Sequence, residues 1–127
     1  MHILLIEPDR ILATTYRELF ELQGHTVMMC ASAQSAIYGA DERRPDIVIL
    51  ELQLIGHSGI EFLYEFRSYV EWQGIPVVVH TQVPAGEFSD SWQFMQDELG
   101  IRAYLYKPLI SLHALLRTVN ELVAQPV

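Results

Sequence analysis

With 127 residues, half of them apolar, and eight Lys and Arg against sixteen Asp and Glu for a formal charge of −8, the chain suits one compact acidic domain. The excess of acid disfavours direct nucleic-acid binding, which asks for clustered Lys and Arg, and the lone Cys30 excludes an internal disulfide. No apolar run approaches the ~20 residues of a bilayer span, and no charged-then-apolar leader precedes the first strand-like run, so no membrane association and a cytoplasmic location are expected.

The first β-rich run is His2 to Ile6, and a helix from about Arg10 to Gln23 follows it, ending at Gly24. The second run, Thr26 to Cys30, leads into a helix of small residues from Ala31 to Arg43. The third, Asp46 to Leu50, precedes a helix over Gly59 to Trp72. After the fourth, Ile75 to Val79, the stripe Phe88, Trp92, Met95 and Leu99 predicts a fourth helix with Gly100 as its C-terminal glycine. The fifth run, Ala103 to Tyr106, is followed by Leu112, Leu115, Leu116, Val119, Leu122 and Val123 on one helical face, opened by Ser111 or the Pro108 turn. Ile47 to Leu50 and Val77 to Val79 are continuously apolar, as strands are when helices cover both faces of a parallel sheet. The expectation is a doubly wound α/β domain whose functional residues lie beyond the carboxyl ends of the strands. Those residues are Glu7, Pro8 and Asp9, then Glu51, Thr81 and Lys107-Pro108.

In that order, Ile6-Glu7-Pro8-Asp9, the run Pro45 to Glu51, Gly59 eight residues later, Thr81, and Tyr104-Leu105-Tyr106-Lys107-Pro108 resemble the receiver domain of two-component response regulators. The resemblance covers essentially the whole chain and implies a receiver domain over 1–124, with 125–127 as a tail or the start of a linker. It implies a flavodoxin-like (βα)5 fold with a five-stranded parallel sheet of order 2-1-3-4-5. In receivers an acidic pair after strand one holds Mg²⁺, an Asp ending strand three accepts a phosphoryl group, and a Ser/Thr and a Lys answer to it by neutralising charge. By position these roles fall to Glu7, Glu51, Thr81 and Lys107, with Thr81 and Tyr104 as the switch hydroxyl and aromatic. Lys107-Pro108 is a peptide the family typically holds cis.

Two departures shape the functional expectation. Glu51 stands where the acceptor Asp is usual; its extra methylene moves the carboxylate roughly 1.5 Å outward in a reaction that depends on placement. Phosphorylation is therefore expected to be slow or absent. Pro8 offers no side-chain oxygen at the second acidic position, and Asp9, one place late, either caps helix one or joins Glu7 and Glu51 in a metal set. No cofactor is expected, and any Mg²⁺ binding is expected to be weak. Ile55 also replaces the usual proline of that loop. Glu51 brings permanent negative charge instead, a partial mimic with −1 and two oxygens against about −1.5 to −2 and three for a phosphoryl. It is expected to pair with Lys107 and, if it engages Thr81 as well, to bias the domain toward one state without a kinase.

The expected function is that of a binding and signalling module rather than an enzyme: a degenerate receiver acting by contact with a sensor kinase, output domain or effector through helix four, strand five and helix five, with a homodimer as an open alternative. The second reading is a competent Mg²⁺-dependent receiver phosphorylated by a histidine kinase or phosphotransfer partner. A flavin or nucleotide domain of this architecture would want glycines after strand one, which Glu7-Pro8-Asp9-Arg10 lacks. Phe94 falls off the buried stripe and is either an ordinary exposed apolar residue or part of a partner surface. His80 should face away from Thr81 as a packed histidine, and Cys30 should be a small buried residue.

Overall fold

The computed structural model describes residues 1–124; the expected tail at 125–127 lies outside the described residues. In chain order the elements are β1 (His2–Ile6), α1 (Arg10–Leu22), β2 (Thr26–Cys30), α2 (Ala33–Glu42), β3 (Ile47–Leu50), α3 (Gly59–Ser68), β4 (Val77–Thr81), α4 (Trp92–Asp97), β5 (Ile101–Tyr106) and α5 (Leu112–Ala124). The strands form one sheet in the order β2-β1-β3-β4-β5, parallel throughout, which is the flavodoxin-like architecture expected.

The sheet divides the interior into two cores, and this is why the strands carry no polar alternation. Ile3 and Leu5 pack with Phe20 of α1 and Val119 of α5 on one side. Leu4 and Ile6 pack with Ala36 and Ala40 of α2 and Phe62 and Phe66 of α3 on the other. The small residues of α2 let it lie close to the sheet: a Cβ on Gly39 would stand 2.5 Å from Met28 Sδ.

Four elements depart most from the sequence expectation. β4 begins at Val77 and runs on through Thr81, because Pro76 has no N–H to give a ladder. β5 begins at Ile101, with a register irregularity: Val77 faces Ile101 but Val78 faces Ala103, leaving Arg102 extra. The third helix stops at Ser68; Tyr69 is extended and a 3₁₀ turn over Val70–Trp72 follows, which brings Trp72 inward to stack on Phe66 at 5.1 Å. The fourth is a 3₁₀ segment, Ala85–Ser91, before the short α4. The expected cis peptide is corrected as well, since the described peptide bonds, Lys107-Pro108 among them, are all trans. Trans is the lower-energy isomer even before proline, and Pro108 sits in a 3₁₀ turn over Lys107–Leu109 that its fixed φ suits. Ser111 then opens α5, its hydroxyl accepting from Ala114 N at 3.1 Å.

Candidate functional site

The parallel ladder brings the ends of β1, β3 and β4 to one level. Glu51 N donates to Ile6 O at 3.0 Å and Glu7 N to Cys30 O at 3.0 Å, so both carboxylates leave the sheet side by side. The Lys107 ammonium reaches across from the end of β5 and donates to Glu7 Oε1 at 2.5 Å and to Glu51 Oε1 at 2.8 Å. The Thr81 hydroxyl donates to Glu51 Oε2. Backbone amides complete the carboxylate's shell: Gln53 N lies 3.1 Å from Oε2 and Gln82 N 3.3 Å from Oε1. Glu7, Glu51 and Thr81 are buried.

Burial alone would raise the Glu51 carboxyl, but the hydrogen bonds from Lys107, Thr81 and Gln53, with the Lys107 charge, hold it below the ordinary carboxylate range. Burial likewise opposes the Lys107 ammonium, and Glu51 and Glu7 more than offset it, so its proton is held more tightly than usual. The pair is ionised at neutral pH.

Gly59 has its explanation here. A Cβ at that position would lie 2.8 Å from Leu52 Cα and 2.9 Å from Glu51 O, so only glycine lets α3 begin against the loop that carries Glu51. Ser58 and Glu61 close a capping box over that start.

Asp9 is not drawn into the pocket. Its Oδ1 accepts from Ile11 N and Leu12 N, each at 3.1 Å, as the N-cap of α1, while Asp9 N donates to Glu7 Oε2 at 3.1 Å. Of the three expected metal-facing acids, then, Glu7 and Glu51 meet and Asp9 turns away. Among the described residues there is no group of three or more His, Cys, Asp or Glu arranged to hold a metal ion.

Tyr104 lies further along the same side of the sheet. Its hydroxyl donates to Val83 O at 2.7 Å, and Val83 N donates to Thr81 Oγ1 at 3.2 Å. The ring lies 6.2 Å from Phe88 and edge-on to Trp92 at 6.0 Å. Burial, with Glu51 and Glu87 nearby, pushes the phenol up to about 12. A connected path thus runs from Lys107 through Glu51, Thr81 and Val83 to Tyr104. Sequence reasoning missed Gln53, Gln82 and Val83 because they act through backbone groups; their only signal is a place one or two residues after a strand-end polar side chain, where turns of this kind form.

His80 faces away from this path, buried, with its ring edge-on to Tyr16 at 5.2 Å. Cys30 is buried. Phe94 is half-exposed and lies 6.0 Å from the Tyr64 ring.

Comparison with known proteins agrees with this fold. A family model described as the response regulator receiver domain matches residues 3–120. The chain is 30% identical over 107 residues to the KDP operon transcriptional regulatory protein KdpE of Escherichia coli, an alignment covering 84% of this chain and 44% of KdpE. It is 26% identical over 119 residues to the polar-differentiation response regulator DivK of Brucella anthropi, covering 94% and 93%. It therefore spans less than half of the KdpE length but nearly all of DivK. In fold it is similar to the non-phosphorylated HemR receiver domain from Leptospira biflexa, with a TM-score of 0.83 at 23% identity over 99% of this chain and 96% of that one. No described helix is long and apolar enough to cross a membrane. On the family model matched over residues 3–120, the chain belongs to the response regulator receiver domain family of two-component signalling.

Proposed function

We propose that this receiver domain signals by protein contact in a state held by Glu51 itself, without a phosphoryl group. One observation carries this reading: both Glu51 oxygens are already engaged, Oε1 by Lys107 and Oε2 by Thr81, the two groups that answer to a phosphoryl in receivers. A carboxylate hydrogen-bonded on both oxygens and paired with an ammonium is a poor nucleophile, and an acceptor displaced by one methylene is poorly placed for in-line transfer.

The pocket's cation is Lys107. Mg²⁺ asks for near-octahedral oxygen ligands; Pro8 supplies none from its side chain, and Asp9 Oδ1 is committed to α1. The donor set does not fit the metal. Glu51 holds the Thr81 hydroxyl, Val83 N follows onto Thr81 Oγ1, and Val83 O holds the Tyr104 hydroxyl. The permanent charge at Glu51 thereby fixes the aromatic on β5 and, with it, the surface of α4, β5 and α5 offered to a sensor kinase, output domain or effector.

Incubation with acetyl phosphate and Mg²⁺ followed by intact-mass analysis tests the proposal. The expected mass is unchanged, whereas a stoichiometric gain of one phosphoryl group would overturn the reading. The double substitution Pro8→Asp with Glu51→Asp, which restores both an oxygen ligand and the shorter acceptor, is expected to gain phosphorylation under the same conditions.

A further inference from the structure

Two open grooves flank α3 on the side of the sheet away from α1 and α5. The groove toward α2, roughly 520 Å³, is bordered by Tyr38, Tyr69, Glu61 and Glu65. The groove toward α4, roughly 500 Å³, is bordered by Tyr64, Phe94, Asp97 and Glu98. Tyr38 is 63% exposed, Tyr64 56% and Phe94 42%, and the Tyr64 and Phe94 rings, 6.0 Å apart, bridge α3 and α4. Exposed aromatics concentrated on one face are the composition of an interface core rather than of a solvated surface.

The charge of the face specifies what it fits. Four carboxylates line the two grooves, and the one guanidinium in their walls, Arg67, is turned to backbone carbonyls of Leu99, Trp72, Gln73 and Ile75 at 2.6 to 3.2 Å. His57 is directed at Glu61 at 3.4 Å. No cation in either wall is available to balance Glu65, Asp97 and Glu98 among the described residues. A second copy of this chain is a poor occupant: it also carries −8, and two of its eight basic residues, Arg67 and Lys107, are committed internally.

We infer that the α2–α3–α4 face is a docking surface for an arginine- or lysine-bearing segment of a partner protein, taken up with its cations over the tyrosine rings and against the acids of α3 and α4. Ring faces attract guanidinium and ammonium groups, and a one-signed acidic face speeds and orients the encounter with a basic partner. The inference does not depend on how Glu51 behaves, because neither groove includes Glu7, Glu51, Thr81 or Lys107.

The test is a ¹H–¹⁵N titration of the whole chain with a short amphipathic peptide bearing Arg on one face and Leu on the other, beside a counterpart with Glu in place of Arg. Saturable shifts confined to α2, α3 and α4 are expected with the Arg peptide alone. Tyr64→Ala with Phe94→Ala, which removes no charge, is expected to weaken binding about tenfold, and Glu65→Lys with Glu98→Lys to abolish it. Shifts spread over all acidic surfaces, or binding indifferent to the aromatic substitutions, would reduce the face to a solvated acidic patch and overturn the proposal. So would a concentration-dependent dimer in light scattering that Tyr64→Ala dissociates, since that would assign the face to a second copy. Unchanged spectra away from the substituted positions show that the variants remain folded.

Discussion

Glu7 and Glu51 leave adjacent strands side by side, and without a cation between them two buried carboxylates would repel each other in a medium that screens poorly. Lys107 removes that repulsion, contacting both at 2.5 and 2.8 Å. Lys107→Met is accordingly expected to lower stability by about 3–5 kcal/mol in urea unfolding, the range for stripping one partner from a buried ion pair; a loss below about 1 kcal/mol would mean that the pair behaves as a surface contact. His80 supplies a pH-dependent effect. Burial, together with the Lys107 charge and against the pull of Glu51, brings its imidazole down to about 4 from 6.5. The unfolded chain then binds more protons between those values, so this stability is full above 6.5 and is lost as pH falls toward 4. The loss is about 3 kcal/mol at one unit per 1.36 kcal/mol, and Glu51, whose carboxyl is held low, loses its contribution in the same direction. Thermal unfolding across this range should show a shallower acid limb for His80→Phe than for the parent chain. At this scale Glu51, Thr81 and Lys107 were legible because strand-end polar residues in a parallel sheet have one place to converge. Asp9 was not, since a carboxylate one residue past a strand can serve the helix or the pocket, and only the positions of the Ile11 and Leu12 amides decide between them.

Among the elements, the join of α3, β4 and β5 depends on a side chain that no motif announces. Arg67, near the C-terminus of α3, donates to carbonyls in the turn after α3, just before β4 and just after α4. Because its partners are backbone groups, they carry no sequence signature. Gly100 was legible as a helix-ending glycine, and its φ of +70° agrees, but it has a second duty: a Cβ there would fall 2.2 Å from Arg67 Nη2. Gly100→Ala should therefore cost more than the ~1–2 kcal/mol of a left-handed alanine, reaching about 3 kcal/mol or more as charged hydrogen bonds are displaced. Combined with Arg67→Met the losses should fall short of their sum in urea unfolding, because the two substitutions disrupt one contact. The broken third helix has a similar origin. Residues 59–72 carry helical spacing, yet stacking Trp72 on Phe66 requires the chain to turn at Tyr69, a tertiary demand that local periodicity does not encode.

For the molecule as a whole, the double core sets the order of stability. β1, β3 and β4 are buried along their full lengths, whereas the 3₁₀ segment Ala85–Ser91 contributes no buried residue. Native-state amide exchange should therefore be slowest in those three strands, at the rate of global unfolding, and fast across 85–91, where local opening exposes little apolar surface. The topology was readable because continuously apolar strands between amphipathic helices leave few alternatives to a doubly wound sheet. The extra residue in β5 was not, and it affects how relatives can be compared. Ile101 and Tyr104, three apart, face the same core, while Ala103 and Leu105 face the other. In an unbroken strand an odd separation would place them on opposite sides. Arg102 thus acts as a parity bit: in a homologue with a regular β5, a tyrosine three residues after the Ile101 position would be directed at α1 and α5, out of reach of Val83. The tyrosine's place in the path is to be counted backward from Lys107, not forward from Gly100, and sequence identity at that column does not by itself bring the hydroxyl to Val83 O.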